Sequence, residues 1–289
     1  MEKLRSSDYG ERTLTTALAY LFNIKHCFMK NFFLLALFLV ASCKSNNSKT
    51  PTYPNLSDLV NPFIGTGGHG HTYPGATLPF GMMQLSPDTR LSGWDGCSGY
   101  HYSDSIIYGF SHTHLSGTGV SDYGDLLLMP HSLDKSSGLD YQQFASSFQK
   151  SSESAKPGYY SVRLETHQID VELSTTQRCG MHRYRYTANQ AQHLLLDLQH
   201  RDPLIETAIE IVDSFTIKGR RRSNAWASDQ HFYFYLQFSK PILEQNIKGN
   251  ETFKQVQAQL VFDNSDHELL IKVGMSAVSE IGAQKNLEA

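Results

Sequence analysis

The chain has 289 residues, 40% of them hydrophobic and 18% charged, enough to bury a substantial core as one large domain or two small ones. Twenty-five Lys and Arg face 28 Asp and Glu, a formal charge of −3, so the balance argues against nucleic acid as a partner. The single basic run, Arg220-Arg221-Arg222 after Gly219, reads as a solvated turn.

Residues 29–43, MKNFFLLALFLVASC, hold a lysine followed by ten apolar residues, 32–41. That run falls short of the ~20 residues a membrane-spanning helix needs, so it reads as an export signal. Val40-Ala41-Ser42-Cys43 resembles a lipobox, which makes Cys43 the expected lipidation site and residues 44–57 a polar tether. The expected product is an exported lipoprotein of a bacterial outer membrane, periplasm or cell surface, held to the membrane through its lipid. Residues 1–28 read as an upstream extension before a start at Met29. Cys97 and Cys179 then remain in the exported part, and the sequence leaves their pairing open.

Between residues 61 and 125 lie 13 of the chain's 21 glycines. Regular strands do not tolerate that density, so long loops with short strands between them are expected. From about residue 157 the pattern has period two. Tyr160, Val162 and Leu164, then Ile169, Val171 and Leu173, alternate with polar neighbours. The signal returns over residues 181–186, at Leu194, Leu196 and Leu198, at Phe232, Phe234, Leu236 and Phe238, and at Leu269, Ile271, Val273 and Met275. Short alternating runs without a long helical segment predict an all-β fold, a large antiparallel β-sandwich with long Gly-rich loops. The chain closes on a polar, helix-favouring stretch that reads like a linker to a second domain.

Site-forming groups crowd into GWDGCSGYHYSDSIIYGFSHTHLSGTG, residues 93–119. The pairs His69/His71 and His112/His114 would each set two imidazoles on one side of an extended segment. A zinc site built on them needs a third ligand such as His101, Asp122 or Asp125, and no zinc spacing is present. Asp95, Asp104, Asp122 and Asp125 invite a paired-carboxylate reading, although Asp beside Gly is more often a turn former. Ser116 lies in no nucleophile elbow, and Cys97 has no orienting group beyond nearby histidine. Trp94 on its Gly-flanked loop either stacks on a ligand such as a sugar C–H face or plugs the end of the sandwich.

The segments VNPFIGTGGHGHTYPGATLPFGMMQLSPDTR, GWDGCSGYHYSD, GFSHTHLSGTG and GDLLLMP resemble the N-terminal domain of glycoside hydrolase family 92, the calcium-dependent exo-α-mannosidases. The likeness continues through GYYSVRL, LDLQHRDP, GRRRSNAWA and FYFYLQFSKP, so it covers residues 58–289. The resemblance implies a β-sandwich followed by a larger (α/α)6-barrel, absent from this chain, that carries the acid, the base and the calcium ligands of an inverting reaction. It implies mannose-containing glycans as substrate, the barrel as partner, and Trp94, Asp95, Cys97, His112 and His114 as the sandwich's substrate-binding residues. Gly96 stands where some members carry a second aromatic, and α-1,2 linkage is the expected preference. A non-catalytic glycan-binding lipoprotein is the alternative expectation, with a His-pair metal hydrolase behind it.

Overall fold

The computed structural model describes residues 55–134, 138–187 and 192–289. The upstream extension, the export signal with Cys43, and residues 44–54 of the tether lie outside the described residues. The tether's end already takes up structure: Leu56–Leu59 form a 3-10 turn, with the Asn55 side chain accepting from Ser57 N.

In chain order the strands are β1 (Ala76–Thr77), β2 (Gln84–Asp88), β3 (Ile106–Ile107), β4 (Gly109–Ser111), β5 (Leu127–His131), β6 (Ser146–Ser147), β7 (Ser154–Lys156), β8 (Tyr159–Leu164) and β9 (Ile169–Thr175). There follow β10 (Cys179–Tyr186), β11 (Gln192–Asp197), β12 (Leu204–Asp213), β13 (Thr216–Ser223), β14 (Gln230–Phe238), β15 (Ile242–Lys248), β16 (Gln257–Phe262) and β17 (Glu268–Ser276), then the helix α1 (Glu280–Glu288). Among the described residues one sheet runs β1-β2-β4-β5-β11-β16-β15 and a second runs β12-β13-β14-β17-β10-β9-β8-β7, with β3 and β6 paired apart. All the pairings are antiparallel.

Period-two patterning puts one face of most strands of the second sheet inward. Tyr160, Val162 and Leu164 of β8, Ile169, Val171 and Leu173 of β9, and Leu269, Ile271 and Val273 of β17 are all buried. The two sheets share this core: Phe238 of β14 packs on Phe262 of β16 with ring centroids 5.0 Å apart. Each such side chain taken out of water stabilises the fold by about 1.5–3 kcal/mol. Leu194 to Leu196 of β11, a strand between β5 and β16, are buried on both faces rather than alternately.

The basic run is no turn. Gly219 through Arg222 lie within β13, and Arg221 points inward with no exposed side-chain surface, bonded to Asp125. Arg220 and Arg222 face outward to Glu206 and Asp229. On β17, Gly274 lets α1 lie against the sheet: a Cβ there would stand 2.3 Å from Ala283 O. Cys97 and Cys179 are both free, and the Cys179 thiol donates to Asn286 O of α1.

Candidate functional site

The segment between β2 and β3 carries Trp94 at a turn, where Cys97 N donates to Trp94 O at 3.3 Å and Gly99 N to Gly96 O at 2.9 Å. Gly96, at φ 71, supplies the left-handed backbone that the tight turn requires. Trp94 is left 58% exposed. Its indole meets the His71 ring edge-on, with centroids 4.3 Å apart, and has His69 at 5.2 Å. His69 Nδ1 lies 2.7 Å from Asp95 Oδ1, and His71 Nε2 lies 3.8 Å from the same oxygen. The hydrogen bond from His69 holds the Asp95 carboxyl below its ordinary range. His69 and His71 therefore converge on Trp94 and Asp95, but from a chain of turns rather than an extended segment: His71 itself has φ 56.

The other three residues expected at the site are buried. Cys97 is 3% exposed, and burial pushes its thiol up, away from the thiolate a nucleophile needs. His112 and His114 part company. His112 Nδ1–H donates to Leu126 O at 2.7 Å, and its Nε2 accepts from His182 Nε2–H at 2.9 Å, across the space between the sheets. His182 Nδ1 in turn accepts from the Tyr184 hydroxyl at 2.7 Å. That chain assigns every proton and leaves both imidazoles neutral. Burial lowers His112 to about 4 and takes His182 well below its ordinary value.

His114 instead faces Asp88. Its Nδ1–H donates to Gln84 O at 2.7 Å, and its Nε2 lies 3.0 Å from Ser111 Oγ and 3.5 Å from Asp88 Oδ1. The fully buried Asp88 accepts from Ser111 N and Oγ. His200 Nε2 stands 3.1 Å from Asp88 Oδ1, out of hydrogen-bond alignment. Burial alone raises the Asp88 carboxyl, yet His200 and His114 bring it well below the ordinary range.

Nearby, an open cavity of about 500 Å3 has Gln84, Thr113, Tyr123, Asp125, Ala227 and Gln230 in its wall. Asp125 is committed there to Arg221, Thr113 Oγ1 and Gln230 Nε2. Asp202 is raised to about 6, chiefly by burial. Among the described residues no group of three or more His, Cys, Asp or Glu side chains is placed to hold a metal ion. The third ligands considered for zinc are occupied elsewhere: His101 with Ser103 and Gly68 O, Asp122 with Ala227 N, Asp125 with Arg221. These residues do not fit a calcium cage either.

The two-sheet core recurs in solved glycosidase structures. A family GH92 α-mannosidase from Bacteroides thetaiotaomicron superposes with a TM-score of 0.74 at 32% identity, covering 81% of this chain and 34% of its own. The GH92 inverting mannosidase of Bacteroides thetaiotaomicron VPI-5482 gives 0.67 at 27% identity, with 80% and 33% covered. The curated "Uncharacterized secreted glycosidase" of Arthroderma benhamiae is 27% identical over 171 residues, 55% of this chain and 22% of that protein. The model of the "Glycosyl hydrolase family 92 N-terminal domain" matches residues 59–276, and the chain belongs to this family. It spans about a third of the solved relatives' length.

Proposed function

We propose that this chain is the sandwich part of an exo-acting α-mannosidase that removes terminal mannose from glycans, with a preference for α-1,2 linkages. The observation that carries the reading is Trp94: an indole 58% exposed, braced by His71 at 4.3 Å, with the Asp95 carboxylate beside it. An aromatic face for sugar C–H groups and adjacent acceptors and donors for hydroxyls are what a polar, ring-shaped ligand requires. Cys97 and His114 back the loop from within, and His112 sits deeper, bonded to Leu126 O and His182 between the sheets, so all three stand at one remove from the sugar.

Inverting hydrolysis needs a general acid and a general base on opposite sides of the scissile bond. Asp95, held low by His69, is ionised at neutral pH and cannot serve as the acid. Asp88 and Asp125 are fully buried and bound to cationic or donor partners. The cleaving pair, and the calcium of the reaction, belong in this reading to an α/α-barrel domain that completes the site. An exported lipoprotein anchored at Cys43 would present the site to extracellular glycans.

The test is to assay p-nitrophenyl α-mannoside with calcium, using this chain alone and the chain joined to a barrel domain. Hydrolysis is expected from the joined form and none from the chain alone. Brisk calcium-requiring release of mannose by the 289-residue chain overturns the division of labour.

A further inference from the structure

We infer that Arg201 is the positioning residue of the Trp94 site, fixing the indole by fastening both ends of its loop; the inference rests on the sugar-gripping role proposed for Trp94. Arg201 lies in the turn after β11, and its side chain is 5% exposed. Nη1 donates to Arg90 O at 3.0 Å and Nη2 to Cys97 O at 2.6 Å. Those two carbonyls flank Trp94, one on each side of the loop that carries it. The same guanidinium reaches Ser121 Oγ, at 2.8 Å from Nη2 and 3.2 Å from Nε. Ser121 follows Gly119, which packs so closely on the indole that a Cβ there would stand 2.8 Å from Trp94 Nε1. One planar fork thus ties down the Trp94 loop and the loop that leans on its ring.

Two backbone features show how firmly the fork is set. Arg201 has φ 68, a left-handed conformation that a non-glycine residue keeps only where its surroundings enforce it. Gly124, at φ 74, lets the Arg201 stem pass: a Cβ there would meet Arg201 Cδ at 2.4 Å. Asp88 Oδ1, 3.8 Å from Nη1, supplies the opposite charge. A lysine ammonium is a single point and cannot span three acceptors in one plane. Holding the loop before the sugar arrives removes an ordering cost from binding.

Trp94 and Trp226 are the chain's two tryptophans, so Trp226→Phe leaves Trp94 as the only indole. In that background, time-resolved anisotropy reads the nanosecond motion of the Trp94 ring. Arg201→Gln is expected to raise the amplitude of fast depolarisation roughly twofold, with Arg201→Lys in between. Mannobiose affinity, by calorimetry, is expected to fall about tenfold in Arg201→Gln. Ser121→Ala, which removes two of the fork's bonds and leaves the buried charge alone, should loosen the ring in the same sense. A lower melting temperature with unchanged Trp94 depolarisation overturns the inference, and if Arg201→Gln does not fold, Ser121→Ala decides it alone. If the parent chain retains no mannobiose, the sugar-gripping reading falls while the anisotropy still judges the fork.

Discussion

Arg221 and Asp125, 96 residues apart, meet at 2.5 Å as an ion pair with neither side chain exposed. Arg221 also donates to Leu198 O, His200 O and Asp202 O, so one inward guanidinium of β13 stitches the turn after β11 to the start of β5. Breaking a buried pair leaves an uncompensated charge. Asp125→Ala is expected to lose about 3–5 kcal/mol, read as a lower urea midpoint at unchanged slope.

The His112–His182–Tyr184 chain predicts acid lability. Both imidazoles have folded values below the ordinary 6.5, His112 at about 4 and His182 further down. Above pH ~6.5 neither state takes a proton and the chain costs nothing. Below it the unfolded protein binds protons that the folded one refuses, so stability falls by about 1.4 kcal/mol per pH unit for each histidine. His131, pushed to about 2 by burial beside His193 and His167, adds to the same slope. Asp202, raised to about 6, works against it between that value and its unfolded one. Melting temperatures from pH 7 to 4.5 should drop steeply, and less steeply in His182→Gln.

Trp94 is exposed, so its removal should spare the fold and cost the ligand. Trp94→Ala is expected to change stability by no more than about 0.5 kcal/mol while abolishing mannobiose retention. Gly119→Ala attacks the same site from the other side: φ 73 and a Cβ 2.8 Å from Trp94 Nε1 force the loops apart. It should weaken binding and cost about 1 kcal/mol or more. Calorimetry for binding and thermal melts for stability separate the two effects.

Gly274→Val should dislodge α1, because the new Cβ would sit 2.3 Å from Ala283 O and 2.8 Å from Leu287 Cβ. The expected outcome is rapid proteolysis after residue 277 with the strands still protected. An intact C-terminus under digestion would show that the helix finds another seat.

Much of the second sheet was legible, because β8, β9, β10, β14 and β17 each present one apolar face and alternate accordingly. β13 was not, since its inward arginine looks solvated until Asp125 is known to wait inside. β12 carries register shifts at Leu204/Glu206 and Ile211/Asp213 and buries little, so its period breaks up. At the candidate site, Trp94 and Asp95 could be chosen from chemistry and family likeness. The convergence of His69 and His71 on them could not, because it depends on a positive φ at His71 within a run of turns, where an extended segment was expected. His112 looked available for a ligand for want of its partner, His182, 70 positions away.

The strand order dictates a schedule for synthesis. Of the strands in the second sheet β17 is made last, yet it lies between β14 and β10 and hydrogen-bonds to both. Until it leaves the ribosome, β7 to β10 and β12 to β14 are separate ribbons, each with an open edge able to recruit a neighbouring chain. Nascent polypeptides that stop short of residue 268 should therefore need shielding by a chaperone. Those that pass residue 276 can zip the two ribbons into one layer.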